Sequence, residues 1–296
     1  MKILFTGASS FTGFWFVKTL TEKGHEVVAI FQKQLSDYQS VRRARIDLLL
    51  PLCDCQFNCS LGSQTFFDLI QQHKKWDLFC HHAADASQYK SGNFDPLKAL
   101  ANNTKAIPEI VALLRKKECK RVILTGSYFE KRSDFSDVSA YALSKTLTHH
   151  YFDHYTKKEG IELGSFVIPN PFGPYEEAKF THYLIQSWIN KKVPTVKTPD
   201  YIRDNIHVEL LARAYLAFVE RPGKNAFYPS GYVESQGAFA KRVSTEISKR
   251  LKIPCPFTLL KQEDFSEPIS RFNRHSINFS DWNENKGWNA LANYYS

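Results

Sequence analysis

Ile3 to Thr6 is a short β-rich run, a Gly/Ser turn follows, and from Phe14 to Lys23 apolar residues recur at helical spacing until Gly24. This reads as strand, turn, helix. Val27 to Phe31 is apolar without interruption, as expected of a strand buried on both faces of a parallel sheet. Later strands are expected at Leu78 to Cys80, Arg121 to Thr125 and Ile161 to Ile168, separated by helical patterns over Ala101 to Lys117 and Tyr141 to Lys158. Such alternation predicts an α/β fold built on a doubly wound parallel sheet. After Pro169 the texture changes. Pro171, Pro174, Pro194 and Pro199 punctuate shorter segments, and helical patterns return at Phe180 to Asn190, Val208 to Glu220 and Ser235 to Leu251. The expected organisation is a first domain over residues 1–168 and a smaller mixed C-terminal lobe over 169–296. Val208 to Glu220 is a candidate to return to the first domain.

Composition narrows the classes. With 296 residues, 43% of them apolar, the chain can bury a large core. Met1 to Phe5 lead straight into the first strand without a signal-peptide pattern, and no run approaches the roughly 18 apolar residues a spanning helix needs. No membrane association is expected. Six cysteines are too few for a disulfide scaffold, which together with the missing signal points to a reducing, cytoplasmic location. Cys53, Cys55, Cys59 and His73 fit no common zinc spacing, so no metal is expected. The formal charge of +9 is spread in pairs such as Arg42/Arg43 and Lys191/Lys192, with no basic stripe interleaved by aromatics. That balance suits a small anionic substrate, and no nucleic-acid partner is expected.

The turn after the first strand reads Thr6-Gly7-Ala8-Ser9-Ser10-Phe11-Thr12-Gly13. Gly7 allows a tight turn and Gly13 close helix packing, and the unpaired N–H groups of the helix start suit a pyrophosphate. Gly7, Ser10, Phe11, Thr12 and Gly13 are therefore candidate cofactor contacts, and residues 1–168 a Rossmann-type dinucleotide-binding domain. A carboxylate at the end of the second strand would select NAD; here stand Gln32 and Lys33, with no acid before Asp37. Lys33 can instead meet a 2′-phosphate, which tilts the expected cofactor from NAD toward NADP.

Tyr141 and Lys145 are four apart at the start of a helical pattern and share one face. A free phenol has a pKa near 10, and a neighbouring ammonium favours the phenolate, so the pair suits proton transfer. Ser127, fourteen residues earlier at a strand end, can hydrogen-bond the substrate oxygen that Tyr141 protonates or deprotonates. Ser127, Tyr141 and Lys145 resemble the triad of the extended short-chain dehydrogenase/reductase family, and the likeness runs along most of the chain. The first turn resembles that family's TGxxGxxG fingerprint, with Ser10 in place of the middle glycine. If the backbone there needs a positive φ, a serine is strained. The resemblance implies that His82-Ala83-Ala84 runs beneath the cofactor, that Asn102 with Thr104 marks the family's Asn-containing helix start, and that Asp85 contacts substrate. Pro169 to Pro174 is similar to the RPxNxxGP segment of nucleotide-sugar epimerases, with Ile168 in place of Arg. Arg203-Asp204-Asn205-Ile206-His207-Val208 is similar to their RDxIHV segment. The likeness implies that Asn170 and Arg203 contact substrate, Arg203 at its diphosphate; Arg271, Arg274 and Trp282 are further candidates for diphosphate and base contacts.

What the resemblance implies is an NAD(P)-dependent enzyme acting on a nucleotide-activated sugar. Ser127 is followed by Tyr128-Phe129 where 4,6-dehydratases carry an Asp/Glu pair, and Glu130 and Asp134 are misplaced for that role. Reduction of a 4-keto-6-deoxy sugar nucleotide is the expected reaction, and 4-epimerisation with retained NAD the alternative. A dinucleotide-binding sensor without chemistry is the alternative of another class. The resemblance also implies a homodimer.

Overall fold

The computed structural model describes residues 1–86, 93–130, 139–280 and 282–296. The chain divides into two compact units, one of residues 1–168 and 215–227, the other of 169–214 and 228–296.

The first unit alternates strands and helices: β1 Lys2–Thr6, α1 Phe11–Glu22, β2 Glu26–Ile30, α2 Ser40–Leu49, β3 Asp54–Gln56, α3 Gln64–Gln72, β4 Leu78–His81, α4 Pro96–Asn103, α5 Ile107–Lys116, β5 Arg121–Ser127, α6 Ala140–Lys158 and β6 Glu162–Ile168. All the strands pair in parallel in the order β3-β2-β1-β4-β5-β6, and the short strand Ala226–Phe227 adds to β6. This is the doubly wound Rossmann order, whose direction reverses between β1 and β4. Thr6 of β1 lies beside His81 of β4, so both strands end together at the reversal. Local chemistry sets the helix starts. Ser10, Ser63, Asp95 and Ser139 each cap a helix with a side-chain oxygen, and Pro96 sits in the first turn of α4, where a missing N–H is harmless.

Apolar faces of α3 and α5 cover one side of the sheet, with Phe66, Ile70, Ile110 and Leu114 on Phe79, Val122 and Leu124. Elsewhere in this unit Phe16 stacks flat on Tyr215 at 4.0 Å and Phe166 meets Tyr215 edge-on at 5.0 Å. Segment 215–227 is held by Arg121. Its guanidinium donates to the carbonyls of Phe218 (2.9 Å) and Lys224 (3.0 Å) and pairs with Glu162 at 2.9 Å. Phe218 closes the helix Val208–Val219, so a cation here satisfies carbonyls that the helix itself leaves unpaired.

One expected helix is two. The pattern over Ala101 to Lys117 predicts a single segment, but α4 ends at Asn103 and α5 starts at Ile107, after Ala106 in the left-handed region (φ 55°). Pro108 is the reason, because it lacks the N–H that a continuous helix needs and is tolerated only in a first turn.

In the second unit the strand Ile202–His207 is central. Tyr232–Ser235 runs antiparallel on one side, while Asn170–Phe172 and Ser270–Arg271 pair in parallel with its two halves. Helices Phe180–Ile189, Gln236–Leu251 and Glu284–Tyr295 bury Leu184, Trp188, Phe239, Val243, Trp288 and Leu291 in one core with Phe172. Among the described residues no helix is long and apolar enough to cross a membrane.

Candidate active site

The loop between β1 and α1 is packed as tightly as backbone allows. Gly7 has φ 82°, and a Cβ on it would lie 2.7 Å from the amide nitrogen of Ala83. A Cβ on Gly13 would lie 2.2 Å from the carbonyl oxygen of Gly7. Both positions therefore require glycine. Ser10 does not: its φ of −73° and ψ of 163° are extended, so the strain that a missing middle glycine would bring is absent. Serine here is the cap of α1, accepting from the Gly13 amide at 3.1 Å while donating to the Gly7 carbonyl at 2.8 Å. Ser10→Ala is expected to remove about 1 kcal/mol of stability, read as a fall in melting temperature of ~2–4 °C.

His82 supports the loop from β4. Its Nε2 lies 3.0 Å from Ser10 Oγ and 3.1 Å from Thr12 Oγ1, and its Nδ1 lies 3.0 Å from Thr125 Oγ1. Since the one Ser10 hydroxyl proton goes to Gly7, Nε2 must carry the imidazole proton and Nδ1 must accept from Thr125. Burial, and then the charges of Lys145 and His81, hold this imidazole down to about 3, so it stays neutral. Thr6 Oγ1 completes the joint by accepting from the amides of His82 (3.1 Å) and Ala83 (3.0 Å). From α2, the fully buried Arg45 donates to the Ser9 carbonyl at 2.8 Å and lies over the Phe11 ring. Phe11 and Thr12 open α1 and are themselves buried. Ala83 and Ala84 follow β4, half-buried.

Gln32 and Lys33 are exposed beyond β2. The Lys33 amide donates to the Tyr38 hydroxyl at 3.4 Å, and Arg42 is close enough to Tyr38 to draw its phenol downward against a larger upward push from burial. The expectation for Asn102 needs correction. It lies in the last turn of α4 rather than at a helix start, is exposed, and donates to Asp85 Oδ2 at 2.8 Å. Its neighbour Asn103 is the buried one, with Oδ1 accepting from the Asp85 amide at 2.7 Å and Nδ2 without a partner among the described residues. Adjacent asparagines in one polar stretch hide which side of the helix turns inward. Thr104 Oγ1 bonds the Leu100 carbonyl.

Ser127 ends β5, and Tyr141 and Lys145 lie one turn apart in α6, which Ser139 caps. Lys145 is buried and donates to the Thr125 carbonyl at 2.8 Å, two residues before Ser127. The half-buried Tyr141 ring meets Phe129, two residues after Ser127, edge-on at 6.4 Å, and Phe94 at 6.0 Å. The lysine and the tyrosine thus bracket Ser127 along the chain. Burial pulls Lys145 below the usual lysine range, and Glu130 partly offsets this. Glu130, not read as part of the site from sequence, folds back so that its carboxylate accepts from the Ser127 amide at 2.6 Å. Asp134 lies outside the described residues.

In the second unit Asn170 donates to Asn205 Oδ1 at 2.6 Å. The pairing of Ser270–Arg271 with Ile202–His207 puts Arg271 opposite Arg203, and both guanidinium groups reach Glu267. Arg274 stacks on Tyr228 at 4.7 Å, and Trp282 lies 6.2 Å from the His207 ring.

Solved structures share this fold along the whole chain. UDP-glucose 4-epimerase of Thermotoga maritima, crystallised with UDP-glucose, is 18% identical with a TM-score of 0.74, covering 100% of this chain and 98% of that one. UDP-glucuronic acid 4-epimerase of Bacillus cereus, in complex with UDP-glucuronic acid and NAD, is 19% identical at a TM-score of 0.74, covering 100% and 99%. UDP-N-acetylglucosamine 4-epimerase of Methanobrevibacter ruminantium M1 is 15% identical at 0.72, covering 99% and 97%. No curated protein matches the chain by sequence. The sequence profile of the NAD dependent epimerase/dehydratase family matches residues 3–228, three quarters of the chain, and the chain belongs to that family.

Proposed function

We propose that the protein is a nicotinamide-dependent enzyme acting on the sugar ring of a nucleotide-activated sugar, and that it reduces a 4-keto-6-deoxy sugar. The observation that carries this reading is that Lys145 bonds the Thr125 carbonyl and Tyr141 packs on Phe129, residues on either side of Ser127 in the chain at the end of β5. The glycine cradle fits a dinucleotide: at Gly7 and Gly13 a side chain would fill space that the loop closes against Ala83 and Gly7 itself. Gly7, Ser10 to Gly13, Ala83 and Ala84 would hold the dinucleotide, Lys145 would meet its ribose, and the bound nicotinamide supplies hydride chemistry. Tyr141 gives its phenolic proton to the sugar oxygen, and the Ser127 hydroxyl holds that oxygen in place. Burial works against the Lys145 ammonium and Glu130 partly restores it; in its protonated form Lys145 favours the phenolate left on Tyr141. With its carboxylate on the Ser127 amide, Glu130 is committed to backbone, which speaks against dehydration. Asn170, Arg203, Arg271 and Asp85 are the proposed substrate contacts.

The NADP preference is supported by the charge of Arg42 beside Tyr38, by Lys33 standing exposed just beyond β2 and by the lack of an acid directly after β2. The alternative, 4-epimerisation with retained NAD, draws support from structural relatives named as 4-epimerases and solved with NAD. Titrating the purified chain with NADPH and NADH by tryptophan fluorescence separates the two. Preferential NADPH binding to a protein purified empty is expected; tightly co-purifying NAD would favour the epimerase, and binding of neither would remove the dinucleotide reading.

A further inference from the structure

Arg203 and Arg271 do not merely lie side by side; they share one carboxylate oxygen. Arg203 Nη2 is 3.3 Å and Arg271 Nη1 2.9 Å from the same Oε2 of Glu267. We propose that Glu267 is an internal stand-in for a phosphate group, displaced when the diphosphate of the substrate binds, and so a determinant of which anions this site accepts. The inference rests on the proposed reading of Arg203 and Arg271 as diphosphate contacts.

The two sides of the contact differ in freedom. The Arg203 side chain is only 8% exposed, its Nη1 donates to the carbonyls of Ile202 (2.9 Å), Pro268 (3.2 Å) and Ile269 (3.1 Å), and its guanidinium lies 4.4 Å over the Tyr201 ring. Arg271 is 15% exposed and fixed opposite Arg203 by strand register. Neither cation can easily turn away. Glu267 is anchored through its backbone, whose amide donates to the Tyr201 hydroxyl at 3.2 Å, while its side chain is 49% exposed. Its carboxylate can rotate into water, and nothing in the strand pairing depends on it.

Burial explains why such a carboxylate is present. A guanidinium this far from water is poorly stabilised unless an anion stays beside it, so an empty site benefits from an internal one. The same geometry suits phosphate. Two planar guanidinium groups converging on one oxygen offer several N–H donors at a spacing that phosphoryl oxygens match. A ligand must then outcompete Glu267, which a diphosphate spanning both arginines does better than a single phosphate.

The test is calorimetric titration of the full chain with inorganic pyrophosphate and with orthophosphate, for wild type, Glu267→Gln and Arg271→Lys. The binding that Arg271→Lys removes defines this site and separates it from any uptake at the dinucleotide loop. Glu267→Gln is expected to bind pyrophosphate about five- to tenfold more tightly, as expected from losing one competing half-exposed ion pair. Its preference over orthophosphate should narrow. Glu267→Ala carries the same expectation, and a cooperative thermal melt of each, whatever its midpoint, would show that both variants fold. Unchanged or weaker binding by the Glu267 variants, with Arg271→Lys still defective, would overturn the stand-in role and leave the arginines as anion contacts. No binding sensitive to Arg271 in any form would remove the reading of the arginine pair, and the inference with it.

Discussion

Tyr141→Phe is expected to lower turnover by about 10³-fold, within the range contributed by a positioned proton donor, while dinucleotide affinity stays within about twofold. The separation follows from where the residue sits. The ring packs against Phe94 and Phe129, contacts that phenylalanine retains, so removing the hydroxyl should not disturb α6 or the end of β5. Lys145 keeps its bond to the Thr125 carbonyl, which does not involve Tyr141. Steady-state rates with the ketosugar nucleotide and NADPH, set beside cofactor affinities from fluorescence, measure the two quantities independently. Loss of turnover with cofactor binding intact is the signature of a group acting on the reacting atoms. If the variant keeps wild-type function, the protein is a dinucleotide-binding sensor and not an enzyme of the proposed kind.

Glu130 shows why part of this site was not legible in the sequence. An acid three residues after a strand end has no periodicity to mark it, and its role appears only when the turn brings its carboxylate back to the Ser127 amide. Tyr141 and Lys145 were legible because helical spacing alone puts residues four apart on one face. The alternation of strands and helices was legible for a related reason: burial on both sheet faces leaves uninterrupted apolar runs such as Val27 to Phe31, and this strand pairs in parallel on both sides. Asn102 and Asn103 were not separable, since which one turns inward depends on where α4 ends, and that end is set by Pro108 and the left-handed Ala106 beyond it. The meeting of Arg203 with Arg271 is further still from local pattern. Sixty-eight positions separate them in the chain, and only strand register brings them together.

Gly13→Ala is expected to weaken dinucleotide binding by about 10- to 100-fold, the loss of one amide bond to a charged phosphate at ~1.5–3 kcal/mol, and to cost about 1–3 kcal/mol of stability through overpacking. The added methyl would sit 2.2 Å from the Gly7 carbonyl oxygen, 2.8 Å from Ser10 Oγ and 2.9 Å from His82 Cδ2. Ser10 and His82 could shift only by breaking the bonds that tie them to Gly7, Thr12 and Thr125, and the Gly7 carbonyl is backbone. Relief must therefore come from moving the loop itself, which is the surface proposed to hold the pyrophosphate. Gly24→Ala provides the comparison. Gly24 has φ 88° and open space around its Cβ position, so alanine there is strained by about 1–2 kcal/mol through its backbone alone and leaves the loop untouched. Thermal melts should fall for both variants, whereas fluorescence titration with NADPH should change only for Gly13→Ala. Equal affinities would mean that the glycine cradle packs the fold without holding a dinucleotide. A selective loss would tie the tightness of the β1–α1 turn directly to cofactor binding, because the two glycines differ in what surrounds them and not in the residue introduced.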